Sequence, residues 1–388
     1  MKKGFPVKLA AVRALISSKA TTSWRRALSG LLLSSALIGA SACTEDGGLF
    51  PFPTSVVIQP NGPKPEWGPS IKPEMQRVIE ELDSLTKGVP LYTLTPQQAR
   101  KAPSFKDALL AVMSQYNIAM PNQSVDTTGR AIPVAGGTIR VRIYTPRLVS
   151  PTMPGIVYYH GGGWVIATND TYDFSARALA AKTGSVVVAV EYRKGPEFRF
   201  PTAHNDAFAA YRWVRDNASS IKIDANRIAV AGESAGGNLA ASVCIMARDA
   251  GVPLPKHQLL VYPIARYDMN TPSYQQFANA KPLNKPSMQW FFSYYLNSPA
   301  DGASPLISLV NNTNLQGLPP ATVINAEIDP LQSEGQQYAA QLKAAGVPVT
   351  SKVYVGVTHE FFGMSPVVPQ ATDAQTLAAA ELVKSLNL

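Results

Sequence analysis

An α/β fold, with a mainly parallel central sheet covered by helices on both faces, is what this sequence predicts. Three observations point there. From residue 137 onward, short β-branched runs alternate with helical patterns, as in a sheet built from strand–helix–strand units. One strand candidate ends in Gly232-Glu233-Ser234-Ala235-Gly236 and runs straight into a helix-forming stretch, so strand, tight turn and helix follow without a loop. A length of 388 residues is enough for one large α/β domain with an accessory piece.

The chain opens on a segment of different character. Of its 35 basic residues, seven fall in the first 43 positions (Lys2, Lys3, Lys8, Arg13, Lys19, Arg25 and Arg26), with no acidic residue among them. An apolar run over 27–42 follows, too short and too rich in small residues for a spanning helix, and Ala40-Ser41-Ala42 has the form of a cleavage site. Residues 1–43 therefore read as an export signal. Cys43 directly after the site resembles the lipidated cysteine of bacterial lipoproteins, although Ala40 stands where leucine is usual; Arg25-Arg26 also permits a twin-arginine route. The expected location is the periplasm or outer surface of a bacterial cell, with a lipid anchor to the membrane. Most of the formal charge of +9 belongs to this leader, so it does not predict nucleic-acid binding. Cys244, the other cysteine, then has no partner and reads as a buried, inert thiol on a helix.

Residues 44–71 carry many prolines and glycines without periodicity and read as a semi-extended tether. Two amphipathic helical patterns come next. Met75, Val78, Ile79, Leu82 and Leu85 lie at helical spacing over 74–85. Thr95 followed by Pro96 starts a second helix, and the pattern resumes up to Met113. Strand candidates are 137–144, 155–159, 185–192, 227–231, 258–262, 321–325 and 351–355; helical patterns cover 172–182, 203–217, 235–249, 331–345 and 370–386. The alternation breaks at about 265–303, where Trp290, Phe291, Phe292, Tyr294 and Tyr295 cluster among prolines, as in an insertion above the sheet edge.

Chemistry enters at Ser234. Gly232 and Gly236 flank it because the turn is tight and neighbouring Cβ atoms would clash, and the geometry lifts the serine Oγ clear of the sheet. Alone, such a motif arises by chance in about one chain in ten of this size. A hydrolytic serine also needs a base, an acid to orient that base, and donors for an oxyanion. With four histidines in the chain, elimination is possible. His160 is locked in a glycine run, His204 opens a helix and His257 opens a strand. Only His359 follows the serine in a loop after a late strand. Asp329, after the strand candidate 321–325, is the acid in the order Ser…Asp…His, with Glu327 as its competitor and Asp268 and Asp301 as poorer candidates. The strongest signal is His160-Gly161-Gly162-Gly163-Trp164 after a strand. Three glycines let backbone N–H groups form an anion-binding concavity, and H-G-G-G arises by chance in roughly one such chain in a thousand.

Together these motifs resemble the hormone-sensitive-lipase family of α/β hydrolases, the bacterial family IV esterases with HGGGW and GDSAGG motifs. The likeness runs from about residue 72 to the C-terminus. It includes Tyr192-Arg193, Pro196-Glu197, Phe200-Pro201, Asp329-Pro330-Leu331, Glu334-Gly335 and Phe361-Phe362-Gly363-Met364. The resemblance implies an α/β-hydrolase fold in which residues 122–388 form the catalytic domain. Helices over 72–121 and the insertion would form a cap. It implies Ser234 as nucleophile, His359 as general base then acid, and Asp329 as its orienting partner. Gly162, Gly163 and Ala235 would supply oxyanion N–H groups, with His160 and Gly161 as structural support of the loop.

Three positions depart from the family pattern. Glu233 replaces Asp before the serine. Lys194-Gly195 replaces Leu-Ala, read as a local loop change. Glu360 replaces glycine beside His359, where a carboxylate would raise the imidazole pKa or change loop geometry if it does not face solvent.

The implied reaction is hydrolysis of small carboxylic esters with short to medium acyl chains, through an acyl-enzyme and without a cofactor. Amide or lactam hydrolysis by the same triad, and ligand binding without catalysis, are the alternatives. The aromatic cluster with Trp164 either lines an acyl pocket or packs the cap to the core. Neither metal-ligand spacing nor a phosphate-binding glycine loop of the nucleotide type occurs.

Overall fold

The computed structural model describes residues 56–387 except 122, 123, 148, 149 and 151. The export segment 1–43, Cys43 and the tether as far as residue 55 lie outside the described residues. One eight-stranded sheet organises the rest: β1 (Val125–Val134), β2 (Gly137–Pro146), β3 (Met153–Tyr159), β4 (Val186–Glu191), β5 (Ile223–Glu233), β6 (Gln258–Val261), β7 (Ala321–Ile328) and β8 (Val349–Thr358), in the order β1-β2-β4-β3-β5-β6-β7-β8. β1 and β2 are antiparallel, and β2 meets β4 antiparallel. From β4 through β3 to β8 every pairing is parallel. The expected parallel sheet is therefore present, with an antiparallel hairpin at one edge.

β1 has no counterpart among the strands read from sequence. Of its ten residues only Val125 and Ile132 are buried. A strand with so small a buried face shows no hydrophobic alternation and is held mainly by its pairing with β2. The central strands show the opposite. Val186, Val187, Val188, Ala189 and Val190 of β4 are all buried because both faces of the sheet are covered. Each such valine contributes about 1.5–3 kcal/mol through removal from water.

The helices are α1 (Pro73–Leu85), α2 (Pro96–Ala99), α3 (Phe105–Gln115), α4 (Asp173–Thr183), α5 (Thr202–Asp216), α6 (Ala235–Asp249), α7 (Pro272–Gln276), α8 (Lys285–Tyr295), α9 (Pro299–Gly302), α10 (Gln332–Ala344) and α11 (Pro369–Leu386). One apolar cluster joins α5, α6, α8 and α10 to one sheet face, through Ala207, Tyr211, Leu239, Trp290, Phe292 and Leu342. A second joins α1, α3, α4 and α11 to the other, through Met75, Val78, Leu109, Leu179 and Leu382. Thr95 caps α2 with a reciprocal capping box to Gln98, and Pro96 occupies the first turn as its fixed φ favours.

Two expectations change. Residues 56–71, expected as tether, are partly packed on the domain. Ile58 and Ile71 are buried with α1, and Asn61 and Gly62 N–H groups donate to Glu80 at 2.6 and 3.0 Å. The N-terminal helices divide their roles as well. α1 and α3 cover the sheet, whereas the stretch around α2 reaches the insertion, where Trp290 Nε1 donates to Leu94 O at 3.0 Å, and the loops after β3 and β4, where Arg100 binds Val165 O at 2.8 Å and Glu197 at 2.7 Å. The insertion itself carries α7, α8 and α9. Asn284 caps α8 by accepting from Ser287 N, so the aromatic cluster sits on a regular helix.

Candidate active site

Ser234 lies between β5 and α6 at φ 58°, ψ −121°, a backbone conformation that costs a non-glycine residue about 1–3 kcal/mol. Surrounding contacts over-determine it. A Cβ on Gly232 would collide with the Gly236 carbonyl, and one on Gly236 with the carbonyls of Tyr159 and His160. Ser234 N donates to Val261 O at 2.9 Å, tying the turn to the end of β6. The elbow is what the glycine pattern predicted.

The histidine loop follows β8, and the Asp329 loop follows β7. Both therefore open at the same end of the parallel strands as Ser234, the end at which such sheets build their sites. His359 and Asp329 are buried and joined, Nδ1 to Oδ2, at 2.7 Å. A carboxylate only accepts, so Nδ1 carries the proton and Nε2 is left as the basic nitrogen. Asp329 Oδ1 accepts from Leu331 N at 2.9 Å, which fixes the carboxylate plane. Burial disfavours the charged imidazole, but the Asp329 charge and hydrogen bond, with Glu360 and Glu233 beyond, outweigh it. His359 is held above the ordinary histidine range. Glu327, the competing acid, accepts from Gly356 N at 2.6 Å and is committed there. Among the described residues no hydrogen bond joins Ser234 Oγ to His359; in free hydrolases that contact is often long and tightens on substrate binding.

The glycine loop packs directly beside the elbow. Gly162 and Gly163 have φ of 95° and 58°, and Gly162 O accepts from Val165 N and Ile166 N, closing a tight turn. The N–H groups of Gly162, Gly163 and Ala235 donate to no backbone acceptor among the described residues. Ala235 also begins the fifteen-residue α6, whose N-terminal dipole favours negative charge. His160 stacks on Tyr192 at 4.4 Å, and its Nδ1 contacts Gly161 O at 2.7 Å. Burial drops its pKa to about 4, so a neutral ring donates from Nδ1 and braces the loop. Gly161 faces the Tyr172 hydroxyl so closely that no Cβ would fit.

The other histidines are structural. His204 is neutral, its pKa lowered to about 4 by burial, and bridges Tyr295 of α8 (2.8 Å) to Asn238 of α6 (2.9 Å). His257 binds Ser385 and Thr322 at the far end of the sheet, each at 2.9 Å. Cys244 is fully buried, which pushes its thiol up and leaves it unreactive. Among the described residues no cluster of metal-ligating side chains occurs.

Sequence reasoning did not find a ring of buried tyrosines around two carboxyls. Glu233 accepts from Tyr158 at 2.5 Å and from Tyr262; burial pushes its carboxyl up, against those hydrogen bonds. The Tyr262 ring lies 4.4 Å from that of His359. Isolated tyrosines at strand ends carry no sequence signal for this convergence. The aromatic insertion also resolves residue by residue. Trp164 is fully buried and stacks on Tyr295 at 4.7 Å, so it packs the core and lines no pocket. Phe291 instead fills the space where a Gly163 side chain would stand. Gly195 N donates to Trp164 O at 2.8 Å, and a side chain there would strike Tyr294 of α8; the Lys194-Gly195 change is thus an accommodation of that helix.

A family model described as the α/β hydrolase fold matches residues 156–363, from β3 through the glycine loop, the elbow and His359. The chain is an α/β hydrolase of the hormone-sensitive-lipase-like family. The hydrolase is 32% identical over 323 residues to an ethyl acetate hydrolase of Pseudomonas putida, covering 82% of this chain and 100% of that protein. It is 40% identical over 252 residues to the carboxylesterase NlhH of Mycobacterium tuberculosis, covering 64% and 79% of the two chains. The crystal structure of a thermostable esterase from Pseudomonas putida superposes with a TM-score of 0.74 at 35% identity, covering 82% of the hydrolase and 99% of that chain. The hydrolase is a carboxylic ester hydrolase.

Proposed function

We propose that the hydrolase cleaves short- to medium-chain carboxylic esters through an acyl-enzyme on Ser234. In this reading His359 Nε2 removes the Ser234 proton as Oγ attacks the ester carbonyl. The oxyanion collects N–H donors from Gly162, Gly163 and Ala235, each contributing on the order of 3 kcal/mol. His359 returns the proton to the departing alkoxide, then activates a water that releases the acid and frees the serine. The observation that carries this is the Asp329–His359 pair, whose 2.7 Å hydrogen bond occupies Nδ1 and leaves Nε2 for chemistry.

Short acyl chains are supported by Phe291, buried against Gly163 and edge-on to Trp290 at 5.2 Å, which narrows the space beside the glycine loop. The similarity to an ethyl acetate hydrolase supports the same choice. p-Nitrophenyl esters from acetate to dodecanoate test it. Acetate to hexanoate is expected to exceed dodecanoate in kcat/KM by roughly tenfold or more, and a maximum at the longest chain would refute the reading. A matched anilide measured in parallel ranks amide cleavage.

Export and anchoring belong to the same proposal, supported by the basic leader, the apolar run and Ala40-Ser41-Ala42-Cys43. No helix among the described residues is long and apolar enough to cross a membrane. The full chain is expected in the membrane fraction and Cys43→Ser in the soluble fraction; identical partitioning would remove the lipid anchor.

A further inference from the structure

Glu360 sits in the left-handed region at φ 74°, ψ 1°, where glycine is free of the cost and a glutamate is not. Its side chain is also largely buried. Oε1 accepts from Tyr172 at 2.7 Å, Oε2 has no hydrogen-bond partner, and Oε1 lies 4.0 Å from His359 Nε2. Backbone strain and a half-satisfied buried carboxyl are two separate costs at one residue, both set against the reactive nitrogen.

The surroundings define what that carboxyl acts on. Facing it are His359 on its own loop, Tyr172 before α4, Glu233 at the end of β5 and Asp329 after β7. Tyr158 of β3, Tyr192 after β4 and Tyr262 after β6 sense its charge. Of these groups only His359 can become a cation. Beyond the Tyr172 hydrogen bond, the Glu360 charge therefore has one cationic partner among these groups, the imidazolium that forms when Ser234 gives up its proton.

We propose that Glu360 is a positioning residue of the ester-hydrolysis reaction, a second carboxylate beside His359 that strengthens the imidazole as a base and sets the lower edge of the working pH range. The proposal rests on the assignment of Ser234 and His359 above. Asp329 orients the ring from Nδ1; Glu360 acts on the Nε2 side without replacing it. No bond is made to Glu360 and no proton passes through it. Burial, with the nearby Glu233 and Asp329 charges, raises Glu360 to about 7 against the pull of the imidazolium and Tyr172, so the two groups titrate as a pair.

The sign follows from the active form. Catalysis needs neutral His359, so the rate climbs as pH rises through its pKa, and a negative neighbour moves that climb to higher pH. Glu360→Gln keeps the shape and removes the charge. Its acidic limb in kcat/KM is expected about one unit lower than wild type. One unit below the wild-type midpoint, the variant then keeps about half of its plateau rate where wild type keeps about a tenth. Glu360→Gly, which suits the left-handed backbone, is expected to shift the limb equally, and it carries the test if the glutamine variant does not fold. Superimposable limbs for wild type and a folded Glu360→Gln, or, where that variant does not fold, for wild type and Glu360→Gly, would overturn the proposal in favour of a purely structural role. Fluorophosphonate labelling of Ser234 in the same samples keeps the two readings apart: unlabelled wild type sinks the serine assignment, whereas labelled enzyme with unmoved limbs sinks only the role of Glu360.

Discussion

Ser234→Ala is expected to lower kcat for ester hydrolysis by about 10⁴–10⁶-fold, the range seen when a triad nucleophile is removed. The fold should not change with it. Among the described residues Ser234 Oγ anchors no neighbouring group, and the strained backbone of the elbow is imposed by Gly232, Gly236 and the Val261 carbonyl rather than by the hydroxyl. Alanine tolerates the same φ no worse than serine, so stability should move by less than about 0.5 kcal/mol. Steady-state kinetics on p-nitrophenyl butyrate, with thermal unfolding on the same preparation, checks both halves. Activity within tenfold of wild type would place the nucleophile elsewhere.

Asp329→Asn should be the next largest loss, about 10⁴-fold in kcat. The reason is a count of donors and acceptors. Asp329 accepts from two groups at once, His359 Nδ1 at 2.7 Å and Leu331 N at 2.9 Å. Asparagine has one oxygen, so one of those donors must face an NH₂ group. If the amide turns its nitrogen to the ring, His359 takes the other tautomer, Nε2 carries the proton and the base is lost. If it turns the oxygen to the ring, Leu331 N is left buried against a donor at a cost of about 1–3 kcal/mol. The plateau separates this loss from the Glu360 effect: Asp329→Asn removes the main charge that raises His359, so its acidic limb also moves to lower pH, but its plateau collapses, whereas Glu360→Gln moves the limb and keeps the plateau. A variant with more than a tenth of wild-type kcat would mean that Asp329 does not orient the base.

Part of this was legible before any coordinates. The spacing of glycines around Ser234, the glycine run after His160 and the position of His359 after the last strand all concern backbone geometry within a few residues. Glycine identity reports such geometry directly, because φ of 95° at Gly162 and the close carbonyls at Gly236 exclude other residues. The parallel sheet was legible for a related reason, since its strands alternate with helices along the chain. The hairpin strand β1 was not, because it buries too little to show a period. Helix α8 was obscured by its own composition, a run of aromatics whose two sides pack on different partners, Leu94 on one and Trp164 on the other.

The sequence by itself determined the fold and the class of reaction, and it pointed to the order of the candidate reacting residues, because each is written in local spacing. Only the tertiary structure separates Asp329 from Glu327, two residues apart at the end of β7, by hydrogen-bonding the first to His359 and the second to Gly356. It also decided that Glu360 turns inward to Tyr172 rather than outward to water, and that Trp164 packs while Phe291 meets the glycine loop. These outcomes depend on groups 29 to 188 positions apart along the chain meeting at the ends of different strands. No local pattern encodes that meeting, because it is fixed by the register and twist of the whole sheet.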